Sequence, residues 1–255
     1  MTDINELIRP SSQGRFARML LYGAPGVGKT KLACEIGSQP LLVAVEPGDE
    51  TLADWPDLNG RTTVMDYGGI NHLGELYKAF KSGQFTYDNL IIDTIDECVE
   101  KMLDDFITLY IPSKDTRPKA TPRPGSGMQR LEFSGNDDYR MLRDGLRPPI
   151  RNLCSLPMNI VFTAHVREPS WADEAKKKEG IPLPPLRPDL PDKTYKLLSK
   201  YVGLIGYMEN KGGKRTVSFK AEANKLEAKS RIKELDGKVV NADDLPKIIA
   251  NWRNK

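Results

Sequence analysis

Two short stretches carry groups suited to chemistry on a phosphate ester. Gly23 to Thr30, GAPGVGKT, fits the pattern of two glycines with four residues between them followed by lysine and threonine. The glycines let the main chain bend closely enough for the amides of Gly26, Val27, Gly28 and Lys29 to face a β-phosphate. A helix starting there would add its positive end. Lys29 would reach the β and γ oxygens, and the Thr30 hydroxyl would ligate magnesium. Gly23, Ala24, Pro25, Gly26, Val27, Gly28, Lys29 and Thr30 are therefore the expected binding set for ATP and Mg2+. The second stretch, LIIDTIDE from Leu90 to Glu97, is an apolar run closed by Asp93, whose carboxylate is placed to hold the same magnesium. A helix N-cap is the other role open to Asp93, since a helical pattern begins at Ile95.

The base that activates water is not beside Asp93. The next residue is Thr94, which cannot abstract a proton at neutral pH, and Asp96 and Glu97 enter a helix directed away from the strand end. Those two acids read as first-turn helix charges and nothing more. Glu46 is the better candidate, because it closes the apolar run LLVAVE after the phosphate loop and ligands gather at such strand ends in open α/β sheets. A glutamate there can orient water for attack on a γ-phosphate. His165, which closes NIVFTA, is placed to hydrogen-bond the γ-phosphate and signal its presence to the segment beyond, with Thr163 as the alternative sensor.

These groups need a scaffold that presents strand ends side by side. The apolar runs Arg18–Tyr22, Leu41–Glu46, Asn89–Asp93 and Asn159–Ala164 read as strands covered on both faces. A weaker strand is expected at Arg61–Asp66. Helices are expected near His72–Lys81, Ile95–Tyr110, Asp138–Cys154 and Asp243–Trp252, and strands at Tyr201–Met208 and Arg215–Phe219 around the turn ENKGGK. The alternation predicts an α/β fold, a mostly parallel twisted sheet with helices on both faces and a strand-rich C-terminal part. Two long irregular segments interrupt it. One, 112–137, holds Lys114, Arg117, Lys119, Arg123 and Arg130 among prolines and glycines; the other, 166–193, holds six prolines and the run Lys176, Lys177, Lys178. Loops of that length are expected to be functional or disordered. The expected organisation is a flexible arm over 1–15, an ATPase core over 16–237 and a C-terminal helix over 238–255.

Composition narrows the class without choosing a ligand. With 255 residues the chain can bury one large core, and 39% hydrophobic with 29% charged residues is ordinary for a globular protein. A formal net charge of +3 gives no argument for nucleic acid; only the local basic segments do. No apolar run approaches the roughly 18 residues of a membrane span. Three cysteines at unpaired spacings point to reduced thiols, hence a cytoplasmic protein.

Taken together, the phosphate loop, LLVAVE, LIIDT and VFTAH resemble the RecA-like recombinase ATPases, and most of all the compact, core-only bacteriophage group that anneals single strands. KSRIKELDG, Lys229 to Gly237, adds to the resemblance, which spans about 15–237. It implies a DNA-stimulated ATPase that binds single-stranded DNA as a ring or filament of identical subunits, with a single-strand-binding protein as a possible partner, in phage recombination or replication. It further implies that the two long segments line the DNA, through Lys114, Arg117, Lys119, Arg123 and Arg130 in the first and Arg167, Lys176 and Lys177 in the second. Phe133 or Tyr139 would stack on bases, and the second segment also offers Trp171. A basic residue acting on the neighbour's γ-phosphate is also implied, with Lys225, Lys229 and Arg231 as candidates. Two rivals stand beside this reading. An AAA-type remodelling or helicase-loading ATPase is expected to have an acid directly after Asp93 and a helical C-terminal lid. A nucleotide-dependent DNA-coating scaffold would hydrolyse little.

Overall fold

Strands that are apolar along their whole length must be covered on both faces, and that requirement organises the chain. The computed structural model describes residues 15–110, 136–180, 182–223 and 225–255. Lys114, Arg117, Lys119, Arg123, Arg130 and Phe133 lie outside the described residues, as does the arm over 1–14.

In chain order the elements are β1 (Arg18–Gly23), α1 (Lys29–Glu35), β2 (Pro40–Ala44), α2 (Pro56–Asn59), β3 (Thr63–Asp66), α3 (His72–Lys81), β4 (Asn89–Asp93), α4 (Ile95–Tyr110), α5 (Asn136–Leu153), β5 (Asn159–His165), α6 (Trp171–Lys178), α7 (Asp192–Tyr201), β6 (Leu204–Lys211), β7 (Lys214–Ser218), β8 (Lys229–Ser230), β9 (Val239–Asn241) and α8 (Leu245–Arg253). The strands form one sheet in the order β3-β2-β4-β5-β1-β6-β7-β9, with β8 on β6. Pairing is parallel from β3 through β6 and antiparallel beyond. This is the RecA-like P-loop architecture expected, strand-rich C-terminal part included.

Side-chain alternation splits the core in two. Leu20 and Tyr22 of β1 join Ile92, Phe162 and the inner faces of α3, α4, α5 and α7, whereas Met19 and Leu21 join Leu42, Ile91, Val161 and residues of α1 and α8. Leu245 and Ile249 of α8 are fully buried, and β9 pairs with β7, so the sheet and its cover continue past Gly237.

Two expectations need correction. The segment 166–193 is not irregular throughout: α6 lies within it, started by a capping box in which the Ser170 hydroxyl accepts from the Asp173 amide and Asp173 accepts from the Ser170 amide. The strand expected to start at Tyr201 starts at Leu204, and the ten residues before Val202 are helical. Thr194, Leu197 and Leu198 supply an i, i+3, i+4 buried stripe, a signal obscured by the proline-rich approach.

The stretch after α6 is tied back to the sheet by Tyr22. Its hydroxyl lies 3.0 Å from the Leu186 carbonyl and 2.7 Å from that of Glu227, and burial raises its pKa, so it remains a donor. Tyr22→Phe leaves two carbonyls without that donor. A loss of about 1–2 kcal/mol in urea unfolding is expected.

Candidate active site

Because β1, β2, β4 and β5 are parallel, their carboxyl ends open on one edge. Gly23 pairs with His165 and Ala44 with Asp93, which sets the phosphate loop, Glu46, Asp93 and His165 around one cleft of roughly 730 Å3. Local sequence shapes the loop. Gly26 (φ 74°) and Gly28 (φ 96°) take left-handed conformations that cost most side chains energy. A Cβ on Gly23 would meet the Met208 carbonyl oxygen at 2.3 Å, so only glycine fits where the loop leaves β1.

Lys29 is 6% exposed, and its ammonium donates to the carbonyls of Gly23 at 3.1 Å and Ala24 at 3.0 Å. Burial lowers its pKa, against the opposing pull of Asp93, Asp96 and Glu46. The Thr30 hydroxyl donates to Asp93 Oδ2 at 2.7 Å, and the buried Thr163 hydroxyl donates to Asp93 Oδ1. Asp93 thus faces hydroxyls of the cleft, which is not the N-cap arrangement left open by sequence. Thr163 is occupied by this contact. The Asp93–Thr94 peptide is cis.

Glu46 lies two residues past β2, half-buried, with Oε1 3.7 Å from Nε2 of His165. Its pKa is raised, first by burial and further by Asp93 and Asp96, with His165 opposing. The other ring nitrogen of His165, Nδ1, is 2.7 Å from Oδ2 of Asp96. Here sequence reasoning fails: Asp96 is not merely a helix charge, since the first turn of α4 turns its carboxylate toward the end of β5. The usable signal was a carboxylate three residues after Asp93, one turn along the emerging helix.

The cleft has further walls that sequence reasoning missed. Arg215, from β7, reaches over the loop: a Cβ on Gly28 would stand 3.0 Å from its Nη1. Its guanidinium also pairs with Asp243. Trp55, 46% exposed, lines the cleft with the Lys31 ammonium 4.1 Å from its ring centroid.

The remaining sequence candidates lie apart. Arg167 is 4.0 Å from Asp173 and lines a second cavity with Asp96, Asp189 and Asp192, so it faces carboxylates of its own chain. Lys176 and Lys177 are exposed on the last turn of α6. The Lys229 ammonium donates to the carbonyls of Ser199 (2.7 Å) and Val202 (2.9 Å), closing the end of α7 within its own chain. Lys225 and Arg231 are exposed. Cys34, Cys98 and Cys154 are buried free thiols, each pushed up to about 12 by burial. Among the described residues no helix is long and apolar enough to cross a membrane.

A family model described as an AAA domain matches residues 15–232. The match runs through Thr94 and through the β6–β7 hairpin, the two features expected above to exclude an AAA assignment, so neither excludes it. No curated protein matches the chain. Among solved structures, a KaiC-like protein from the hyperthermophilic archaeon Pyrococcus horikoshii OT3 is similar at 15% identity, covering 79% of this chain and 78% of its own, with a TM-score of 0.41.

Proposed function

We propose, from the premise that this chain belongs to the AAA-domain family, that it binds ATP with magnesium, hydrolyses it, and couples turnover to single-stranded DNA. The observation that carries the ATPase reading is the meeting of Lys29, the Thr30–Asp93 pair, Glu46 and His165 around one cleft. The residues present suit magnesium: a hydroxyl and a carboxylate 2.7 Å apart, with Gly48 leaving room above them, since even a Cβ there would come 3.5 Å from Asp93 Oδ2. When bound, the ion neutralises charge on the β- and γ-phosphates. In this mechanism the loop amides and Lys29 hold the phosphates, Glu46 orients and deprotonates the attacking water, and Nε2 of His165 meets the γ-phosphate. Catalysis is positioning and charge stabilisation.

The DNA reading rests on the basic segment 112–137 and on the RecA-like resemblance. Identical subunits would assemble on a single strand as a ring or filament, with Lys225, Lys229 or Arg231 reaching a neighbour's nucleotide, and promote annealing or recombination in phage replication. Binding is expected to favour single-stranded over duplex DNA and to weaken steeply with salt. Replacing Lys114, Arg117, Lys119, Arg123 and Arg130 by glutamine should flatten the log–log salt dependence by up to about 3–4 units, at roughly 0.7 per phosphate contact on a single strand. Equal binding to duplex, or no binding, would remove the DNA reading and leave the ATPase standing. DNA binding without any turnover would favour the scaffold.

A further inference from the structure

We infer that Asp96 is a positioning residue that fixes the orientation and tautomer of His165, so that Nε2 alone is presented to the nucleotide. The inference rests on the reading that His165 acts at the γ-phosphate.

Its contacts go beyond what a helix-terminal charge requires. The Asp96 carboxylate accepts from the His165 ring at Nδ1 (2.7 Å), and the His165 main-chain amide lies 3.3 Å from Oδ1 and 3.4 Å from Oδ2. One side chain therefore holds both the ring and the backbone at the end of β5. Glu97, beside it, supplies the same favourable charge to the helix dipole, so that role alone leaves these contacts unexplained.

The chemical consequence follows from imidazole's two nitrogens. A carboxylate at Nδ1 selects the form protonated there. Nε2, 3.7 Å from Glu46, is then an acceptor for a proton of the attacking water, and it donates to a phosphate oxygen only when the ring carries a second proton there. A free imidazole favours the opposite tautomer and turns about its side-chain bonds.

The backbone contact extends the effect to the following segment. The His165 carbonyl accepts from the Asp189 amide at 2.8 Å, and the Arg167 amide donates to the Arg187 carbonyl at 2.8 Å. Holding His165 therefore also sets where the 186–189 stretch lies against the sheet.

The chain contains only two histidines, which makes the tautomer directly measurable. The other, His72, accepts from the Gly68 amide at Nδ1 (2.8 Å), so its proton must sit on Nε2 and it serves as an internal reference and folding control. Long-range proton–nitrogen correlation spectra of the full chain in mildly alkaline buffer should show His165 protonated at Nδ1 and His72 at Nε2. In Asp96→Ala the His165 pattern should change to that of a free imidazole while His72 keeps its own. The kcat for ATP should fall about 10- to 100-fold, the usual cost of removing such an outer partner, with KM within about twofold. His165 protonated only at Nε2 in the parent overturns the inference without reference to any variant. If His165→Ala slows turnover and Asp96→Ala does not, positioning by Asp96 fails while the γ-phosphate role stands; if His165→Ala turns over like the parent, that role itself fails.

Discussion

Glu46→Gln is expected to lower kcat by about two to four orders of magnitude while ATP binding stays within a few-fold of the parent. That is the range attributable to a positioned general base. Glutamine keeps the shape and can still hold a water but cannot take its proton. The environment of Glu46 sharpens the test. Burial, with Asp93 and Asp96 nearby, raises its pKa above the ordinary glutamate value of about 4.3. The rate should therefore decline with acidification starting at a higher pH than an exposed glutamate would give. The sign for stability is the opposite of the usual carboxylate. A raised folded-state pKa means that the stabilising contribution is present at low pH and is lost as pH rises through that value. At neutral pH the charged Glu46 opposes folding, so Glu46→Gln should melt at an equal or slightly higher temperature, a small effect because the side chain is about one-third exposed. Turnover equal to the parent's in the presence of single-stranded DNA would remove Glu46 from the chemistry.

Lys29→Met should abolish detectable ATP binding at concentrations that saturate the parent. A hydrogen bond to a charged partner contributes about 1.5–3 kcal/mol, and losing contacts to both β and γ oxygens would weaken binding by roughly 100-fold or more. The fold should survive, because Lys29 does not need its charge there. Its ammonium is buried against loop carbonyls and its pKa is lowered by that burial, so protonating it is less favourable in the folded state than in the unfolded chain. A lysine whose pKa falls on folding opposes folding at every pH where the unfolded chain keeps it charged. Methionine removes that cost and the two loop contacts together, and the melting temperature should stay within a few degrees. Retained nucleotide affinity, by calorimetry, would mean that the loop binds phosphate through its amides without this side chain. A collapse of the melting temperature would mean that Lys29 holds the loop together.

The phosphate loop was legible in the sequence because its function is local: consecutive amides, two special backbone positions and two adjacent side chains all lie within eight residues. The central strands were legible for a related reason. Doubly covered strands must be apolar at every position, and RMLLY, NLIID and NIVFTA announce themselves without reference to their neighbours. The α/β class and the placing of Glu46, Asp93 and His165 at strand ends follow from those runs. Helices α6 and α7 were masked by prolines that break the pattern on either side while leaving the buried stripe of α7 and the capping box of α6 intact.

What only the tertiary structure decided concerns residues far apart in the chain. Asp96 is 69 positions from His165, and the two meet because β5 lies beside β4 in a register that brings the end of one level with the first turn after the other. Arg215 reaches the phosphate loop because β6, followed by a tight return to β7, is laid against β1. The Lys229 ammonium meets the end of α7 because β8 pairs with β6 nearby. Each of these contacts depends on strand order and register, which are selected by the packing of both faces of the sheet together. No short stretch of sequence contains that information.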